Sequence, residues 1–473
     1  MRQLSAVTVH DLPGPRALPL VGNLPQMLRG GTPHRVLQRW CDRYGPTFRV
    51  TFPAGPAVVT ADPLIVDTVL RDRPDRFRRG ARVTRIIDEA GVHGVFTAEG
   101  DEWRRLRRMA TRSLNASYVR AYFTTLSRVN QRLEGRWSAA AAGGERIDVL
   151  DVMMRYTLDV TVGLTMGHDL NSLEHLDDGL QRRLPGIFPE IGRRLNAPLP
   201  YWRLFRMPRD RRLDAIVAEL DELVRDRFEH ARRRMATGAQ PENFLEALVG
   251  PVGDEPSFTH EELFGNVLTM MLAGEDTTSS TAAWAIHYLA HDPDAQRRVR
   301  AEVDEVVGAG TVGDPETVRR LTYTEAVVLE AMRLRPVAPQ LAVEPLQGTL
   351  VEGDGLSVAV QAGTPIIALT GYGARDETVF PNPGEFRPQR WLDGSVADRT
   401  HAPRFLPFGS GPRFCPGRNL AILEATLIAA TTCRDFDIAP DTSAGPVGER
   451  AAFTVFPTNL RVTLARRPSD GAS

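Results

Sequence analysis

FGSGPRFCPG, residues Phe408 to Gly417, runs directly into the apolar helical pattern NLAILEATLIAA from Asn419 to Ala430, and this junction decides how the rest of the chain is read. A cysteine just ahead of a helix faces free backbone N–H groups and the positive end of the helix dipole, both of which stabilise a thiolate. Pro416 suits the first helical position. Gly411 and Gly417 allow a tight loop to wrap the sulfur, and Arg413 can neutralise an anionic group held nearby. Together these residues spell a metal–thiolate loop. Taken alone, a lone cysteine at a helix start reads better as buried and inert, so the surrounding pattern carries the argument.

Working outward, the apolar run VLTMMLAG meets EDTTSST, Glu275 to Thr281, within one helical pattern from His260 to Leu289. The run falls well short of the roughly 20 residues of a membrane span. Burying so many polar groups needs a reason, and the plain alternative is a helix kinked by Thr and Ser hydroxyls bonded to their own backbone. Adjacent helical residues diverge by about 100°, so Asp276 and Thr277 are expected to communicate through water. Glu275 reads as a salt-bridged structural acid. Glu330 and Arg333, spaced i,i+3 in LTYTEAVVLEAMRLRP, share a helix face, a pairing worth little alone. Trp103 and Arg107 form W-x-x-x-R on DEWRRLRRM, which a solvated basic face would also explain.

Phe408, Gly411, Arg413, Cys415 and Gly417 fit F-x-x-G-x-R-x-C-x-G, and on them the chain resembles the cytochromes P-450, over nearly its whole length to FPTNLRVTL. The resemblance implies a mainly α fold with small β-sheets, a triangular α-rich prism around haem b, with Cys415 as the axial iron ligand. In that family the thiolate pushes electron density onto iron and favours O–O cleavage. Ala273, Gly274, Asp276 and Thr277 fit its A/G-G-x-D/E-T pattern, in which small residues leave room for O2 and the acid and hydroxyl serve catalytic proton delivery. Glu330 and Arg333, with Arg390 in FRPQRW, match its Glu–Arg–Arg structural triad, serving folding and haem retention. Trp103 and Arg107 match the helix that binds a haem propionate. The implied cofactor-binding set is Trp103, Arg107, Ala273, Phe408, Gly411, Arg413, Cys415 and Gly417. Implied pocket walls are Ile86, Ile87, Val95, Phe96, Met270, Ala273, Val337, Ala338 and Phe453, mostly apolar, which favours terpenoid, polyketide or fatty-acyl substrates. Three departures stand out. Val343 occupies a position where the family often has Arg or His for a propionate; Gln389 replaces a Glu, and Ala374 a His.

Composition sets the remaining bounds. The 473 residues carry 58 basic and 59 acidic side chains, net charge −1, so no global field favours nucleic acid or an anionic membrane. Every basic residue is Arg; without Lys there is no P-loop lysine and no lysine Schiff base. The Arg and Ala bias points to a GC-rich bacterial genome. Cys41, Cys415 and Cys433 form no C-x-x-C or paired framework. Gly308, Gly310 and Gly313 spell G-x-G-x-x-G, but a helix pattern precedes them where a strand is required, so they are loop punctuation. H-E-x-x-H fails at Phe264. With no composition break, one domain over 1–473 is expected, with a Pro-rich extended arm over 1–30. The N-terminus lacks a charged start followed by an apolar run, so an unanchored cytoplasmic protein is expected. The expected function is a monooxygenase inserting one oxygen atom from O2 into a lipophilic small molecule, with NAD(P)H electrons arriving through an external ferredoxin or flavodoxin and its reductase. A peroxygenase, a coupling or rearranging enzyme, or a haem-binding sensor are the alternatives. Arg104, Arg105, Arg108 and Arg112 are candidates to dock an acidic partner, and Arg82 and Arg85 to read a carboxylate, though a solvated loop explains the latter pair as well.

Overall fold

The computed structural model describes residues 6–114, 116–175, 187–197, 199–249, 258–308, 310, 312–394 and 404–467; the side chains at 112, 113, 116, 117, 188 and 196 are not described. Six helices build the site: α1 (Gly100–Ser113), α2 (Ala116–Gly143), α3 (Val149–Met166), α4 (His260–His291), α5 (Thr322–Leu334) and α6 (Arg418–Asp435). Helix α4 starts at a capping box. Thr259 Oγ1 accepts from Glu262 N at 3.2 Å, and Glu262 Oε2 accepts from Thr259 N at 2.9 Å. It ends at Asp292, which caps the helix Pro293–Val306. The Thr and Ser hydroxyls do bond back to their own helix, yet α4 stays continuous through them. Helix α3 is buried around most of its circumference, with the paired Asp151 and Arg155 on its solvent side. It lies along α4 and contributes to two cores. One joins α2, α3, α4, α5 and α6 through Trp137, Tyr156, Trp284, Val327 and Leu427; the other joins α1, α3 and α4 through Leu106, Leu158 and Val267.

The strands make small sheets, as the sequence predicts. The largest contains β1 (Thr47–Phe52), β2 (Gly55–Thr60), β3 (Phe77–Arg79), β4 (Leu341–Pro345) and β5 (Ile366–Ala368), in the order β1-β2-β5-β4-β3. A hairpin, β6 (Gly448–Ala451) and β7 (Val455–Thr458), lies against α4. The expected extended arm is only partly extended. Val7–Thr8 pairs with Val358–Ala359, but Leu24–Arg29 closes into a helix with Pro in its first turn, where the missing N–H costs nothing.

Glu330, Arg333 and Arg390 come together 0%, 2% and 0% exposed. Glu330 Oε1 accepts from Arg333 Nη2 at 2.8 Å, Arg390 Nε at 3.0 Å and Arg387 N at 3.0 Å. Its Oε2 accepts from Arg333 Nε and Trp391 Nε1, both at 2.9 Å. The remaining guanidinium donors bind carbonyls of Ala374, Pro381, Pro383 and Glu385. Ala374 contributes its backbone carbonyl, while its methyl group packs in the apolar core. One buried carboxylate organises the segment leading towards Cys415. Removing a partner from such a buried set costs roughly 3–5 kcal/mol, much of a domain's total stability. Glu330→Ala and Arg333→Ala are therefore expected to give aggregated or cofactor-free protein; a parental melting midpoint in either would show the network to be dispensable.

Candidate active site

The Cys415 loop is shaped by backbone constraints. Cys415 N donates to Phe408 O at 3.0 Å and Phe414 N to Gly411 O at 3.1 Å. Gly411 has φ +71°, and a Cβ there would stand 2.7 Å from Leu70 O and Arg71 Cα. Only glycine satisfies both demands. Gly417 makes no such demand, since its φ is −84°. The helix begins two residues later than the sequence suggests: α6 starts at Arg418 with Gly417 as its cap, so Pro416 precedes the helix instead of opening it. The sulfur still faces the helix start. Burial pushes the Cys415 thiol pKa up, while N–H groups of Gly417 and Arg418 and the charge of Arg107 pull it down. Burial lowers the pKa of Arg107, half-buried on α1, and the charge of Cys415 opposes that effect.

Beside this loop lies a cluster that the sequence reading missed. Arg73 and Arg79 are 2% and 9% exposed and stand with Arg413 around one carboxylate, Glu99. Arg413 Nη2 donates to Glu99 Oε2 at 2.6 Å, and Arg79 N donates to Glu99 Oε1 at 2.9 Å. Arg79 lies 3.5 Å from the Phe96 ring centroid, and Arg413 4.7 Å from that of Trp103. Arg73 Nε and Nη2 and Arg413 Nε have no partner. Burial lowers the pKa of Arg79 well below its ordinary value and that of Arg413 to about 10, with the neighbouring guanidiniums adding to both effects and Glu99 opposing them. Buried guanidiniums in excess over carboxylates, with donors unfilled, fit a dianionic ligand. In the sheet Arg79 is the cross-strand partner of Val343, so a guanidinium stands beside the position where the sequence lacks a basic residue. The dense run RPDRFRR from Arg73 to Arg79 gives no local sign of this, because the burial of Arg73 and Arg79 arises only in the folded chain.

On α4, Ala273 is exposed and Gly274 approaches α3 so closely that a Cβ would stand 2.5 Å from Thr161 Cγ2. Thr277 Oγ1 donates to Ala273 O at 2.7 Å. The Asp276 carboxylate accepts from the Thr454 hydroxyl; burial raises its pKa to about 6 against that hydrogen bond. Glu275 is not salt-bridged. It is 2% exposed, its Oε1 has no partner, and no ion pair to it occurs among the described residues. Burial, then the charge of Asp276, pushes its pKa to about 8, so it is mostly neutral at pH 7 and needs no counter-ion.

Ile86, Ile87, Val95, Phe96, Met270 and Phe453 share one apolar cluster. The loop bearing Val95 reaches α4 because Gly265 lets His93 O lie where a Cβ would be, and Val95 N then donates to Asn266 Oδ1 at 2.9 Å. Val337 and Ala338 lie outside that cluster, but Val337 O accepts from Val455 N at 2.9 Å, beside Phe453. Arg82 donates to Leu195 O and Ala197 O, which occupies it. Arg85 lines a polar cleft of about 530 Å³, in keeping with a solvated role. The α1 arginines do not form a free basic face. Arg104 pairs with Asp75 and Asp101, Arg105 with Glu262, and Arg108 is also engaged; the Arg112 side chain lies outside the described residues.

Comparison with known proteins agrees with this geometry. The family described as Cytochrome P450 matches residues 12–464. A self-sufficient cytochrome P450 monooxygenase of Penicillium expansum is 28% identical, covering 98% of this chain and 44% of the relative. Another, of Aspergillus niger, is 28% identical over 96% of this chain and 43% of the relative. The LUTEIN DEFICIENT 5 protein of Arabidopsis thaliana is 27% identical over 90% of this chain and 72% of the relative. The chain spans less than half the length of the two fungal relatives.

Behind the loop, Glu424 on α6 is 2% exposed, and burial alone raises its pKa to about 8. The native state therefore keeps a proton that the unfolded chain releases near pH 4.5. Stability falls as pH rises from that value to about 8, then levels off. Glu424→Gln is expected to match the parent near pH 5 and to exceed its stability at pH 8 by on the order of 3 kcal/mol. Denaturant melts across that range test this; parallel curves would show that Glu424 is not protonated in the native state.

Proposed function

The chain belongs to the cytochrome P450 family, and from that premise we propose that it is a haem-thiolate monooxygenase with Cys415 as the axial ligand. The observation that carries the reading is the conjunction, around the Cys415 loop, of a thiol facing the N–H groups of Gly417 and Arg418 with under-neutralised buried guanidiniums. The first suits a metal-bound thiolate and the second the propionates of haem b. Arg73, Arg79 and Arg413 would hold the propionates, with Trp103 and Arg107 beside them. When bound, haem b supplies a redox iron that uses O2 to insert one oxygen atom into a substrate.

The other residues set conditions for that chemistry. Ala273 presents only a methyl group on the exposed side of α4, while Gly274 lets the helix pack closely against Thr161 of α3. Thr277 holds its hydroxyl on Ala273 O, leaving its lone pairs to order a water. Asp276, with a pKa of about 6, exchanges protons near neutral pH and can relay them from solvent. Ile86, Ile87, Phe96 and Phe453 favour a lipophilic terpenoid, polyketide or fatty-acyl substrate. Electrons would come from NAD(P)H through a ferredoxin or flavodoxin and its reductase; the paired α1 arginines give no support to docking on that face. The family match over 12–464 supports a single domain. Free Cys41, Cys415 and Cys433 support a reducing cytoplasmic setting, and the Arg-rich composition a GC-rich bacterial source. No helix among the described residues is long and apolar enough to cross a membrane.

With a surrogate ferredoxin and reductase, Thr277→Ala is expected to keep cofactor and O2 consumption while diverting flux to hydrogen peroxide. Asp276→Asn should slow turnover by about 10²-fold or more, the usual contribution of a general acid or base. The ratio of peroxide and water formed to nicotinamide consumed is the measurement. Parental ratios and rates in both variants would remove this pair from proton delivery.

A further inference from the structure

The tip of hairpin β6–β7 touches both the apolar pocket wall and the acid of α4. It turns through Ala452, Phe453 and Thr454, with Ala452 N donating to Thr454 O at 2.8 Å and Val455 N to Val337 O at 2.9 Å. From outside, the helix Ile187–Asn196 presses on it so closely that a Cβ at Gly192 would stand 3.3 Å from the Ala452 carbonyl carbon. These restraints give two adjacent side chains different tasks. Phe453 meets Phe96 edge-on, with centroids 5.5 Å apart. Thr454, 5% exposed, donates its hydroxyl to Asp276 Oδ2.

A buried carboxylate with no guanidinium beside it relies on such a donor both for its rotamer and for stabilising its charge. Among the described residues no cation pairs with it in place of that donor. On α4 itself the neighbour is Glu275, another acid, which the charge of Asp276 disfavours. On α3, Asp159 is turned to the backbone of Ser172. On β6, Glu449 pairs with Arg35 and Arg335, and Arg450 stands over Phe456. On α5, Arg333 is committed to Glu330, and on α6, Glu424 is raised by burial alone. Thr454 is therefore the group that decides where the Asp276 carboxylate points.

We propose that Thr454 is a positioning residue for Asp276, holding the acid in the orientation from which it relays protons. The proposal rests on the reading of Asp276 given above. It also follows that the acid is tethered to the pocket wall, because Phe453 and Thr454 share one peptide bond in a restrained turn.

The test uses holoenzyme carrying Thr454→Val, Thr454→Ser or Asp276→Asn, with cofactor content checked first; Thr454→Ala stands in if the valine variant does not fold. Infrared spectra across pH identify the Asp276 carboxylic C=O band by its loss in Asp276→Asn. In Thr454→Val this band should move to higher frequency and titrate about 1 pH unit higher, and Thr454→Ser should restore both. The pH inflection of O2 consumption driven by a surrogate ferredoxin and reductase should move upward in step, with a rate several-fold below the parent. A parental band position and inflection in Thr454→Val would overturn the proposal while leaving Asp276 intact as the acid. Parental O2 consumption in Asp276→Asn would instead overturn the reading of Asp276, and the proposal with it.

Discussion

Burying charge is unfavourable unless something opposite meets it, and the cleft around Cys415 is arranged on that constraint. Burial makes the thiolate costly, yet the two N–H groups at the start of α6 and the Arg107 guanidinium all favour the charged sulfur. Nearby, Arg73, Arg79 and Arg413 surround one Glu99 and leave donors unfilled. A buried thiol whose charge is only partly supported and guanidiniums with unfilled donors are both incomplete as protein chemistry. A cofactor bearing a cation at its centre and two carboxylates at its edge completes both at once.

That arrangement depends on a second buried charge set whose ligands are all internal. Glu330 accepts donors from Arg333, Arg390, Trp391 and the Arg387 backbone, while both guanidiniums reach back to carbonyls of the same segment. Here nothing is left open, in contrast to the Arg73–Arg79–Arg413 cluster. The difference between a satisfied and an unsatisfied buried ion network separates scaffold from binding site in this molecule.

Much of this was legible in the sequence because its signals are local. The Cys415 loop, the i,i+3 pair on α5 and the long α4 pattern are each local signals; the Glu330–Arg333 pair and the helix His260–His291 form as the spacing implies, whereas Pro416 and Gly417 precede α6. What sequence could not show depends on tertiary burial. Glu275 reads as half of a salt bridge, but it is buried with no ion pair among the described residues, and burial with the charge of Asp276 raises its pKa to about 8, so it protonates instead. Arg73 and Arg79 carry no local signal, because their burial, 2% and 9% exposed, arises only in the folded chain, with Arg79 in β3 paired opposite Val343. The α1 arginines looked like a docking face until Asp75, Asp101 and Glu262 paired with them. Thr454 had no signal at all, because its contact with Asp276 spans 178 residues.

The central claim is that the Cys415 sulfur, as thiolate, binds the cofactor iron. Its most direct test is the absorption spectrum of the reduced protein under carbon monoxide, recorded for the parent and for Cys415→His. The parent should show the strongly red-shifted Soret band of thiolate ligation, and the variant should lose it while still binding haem. The same red-shifted band in Cys415→His, or its absence from fully haem-loaded parent protein, would contradict the account.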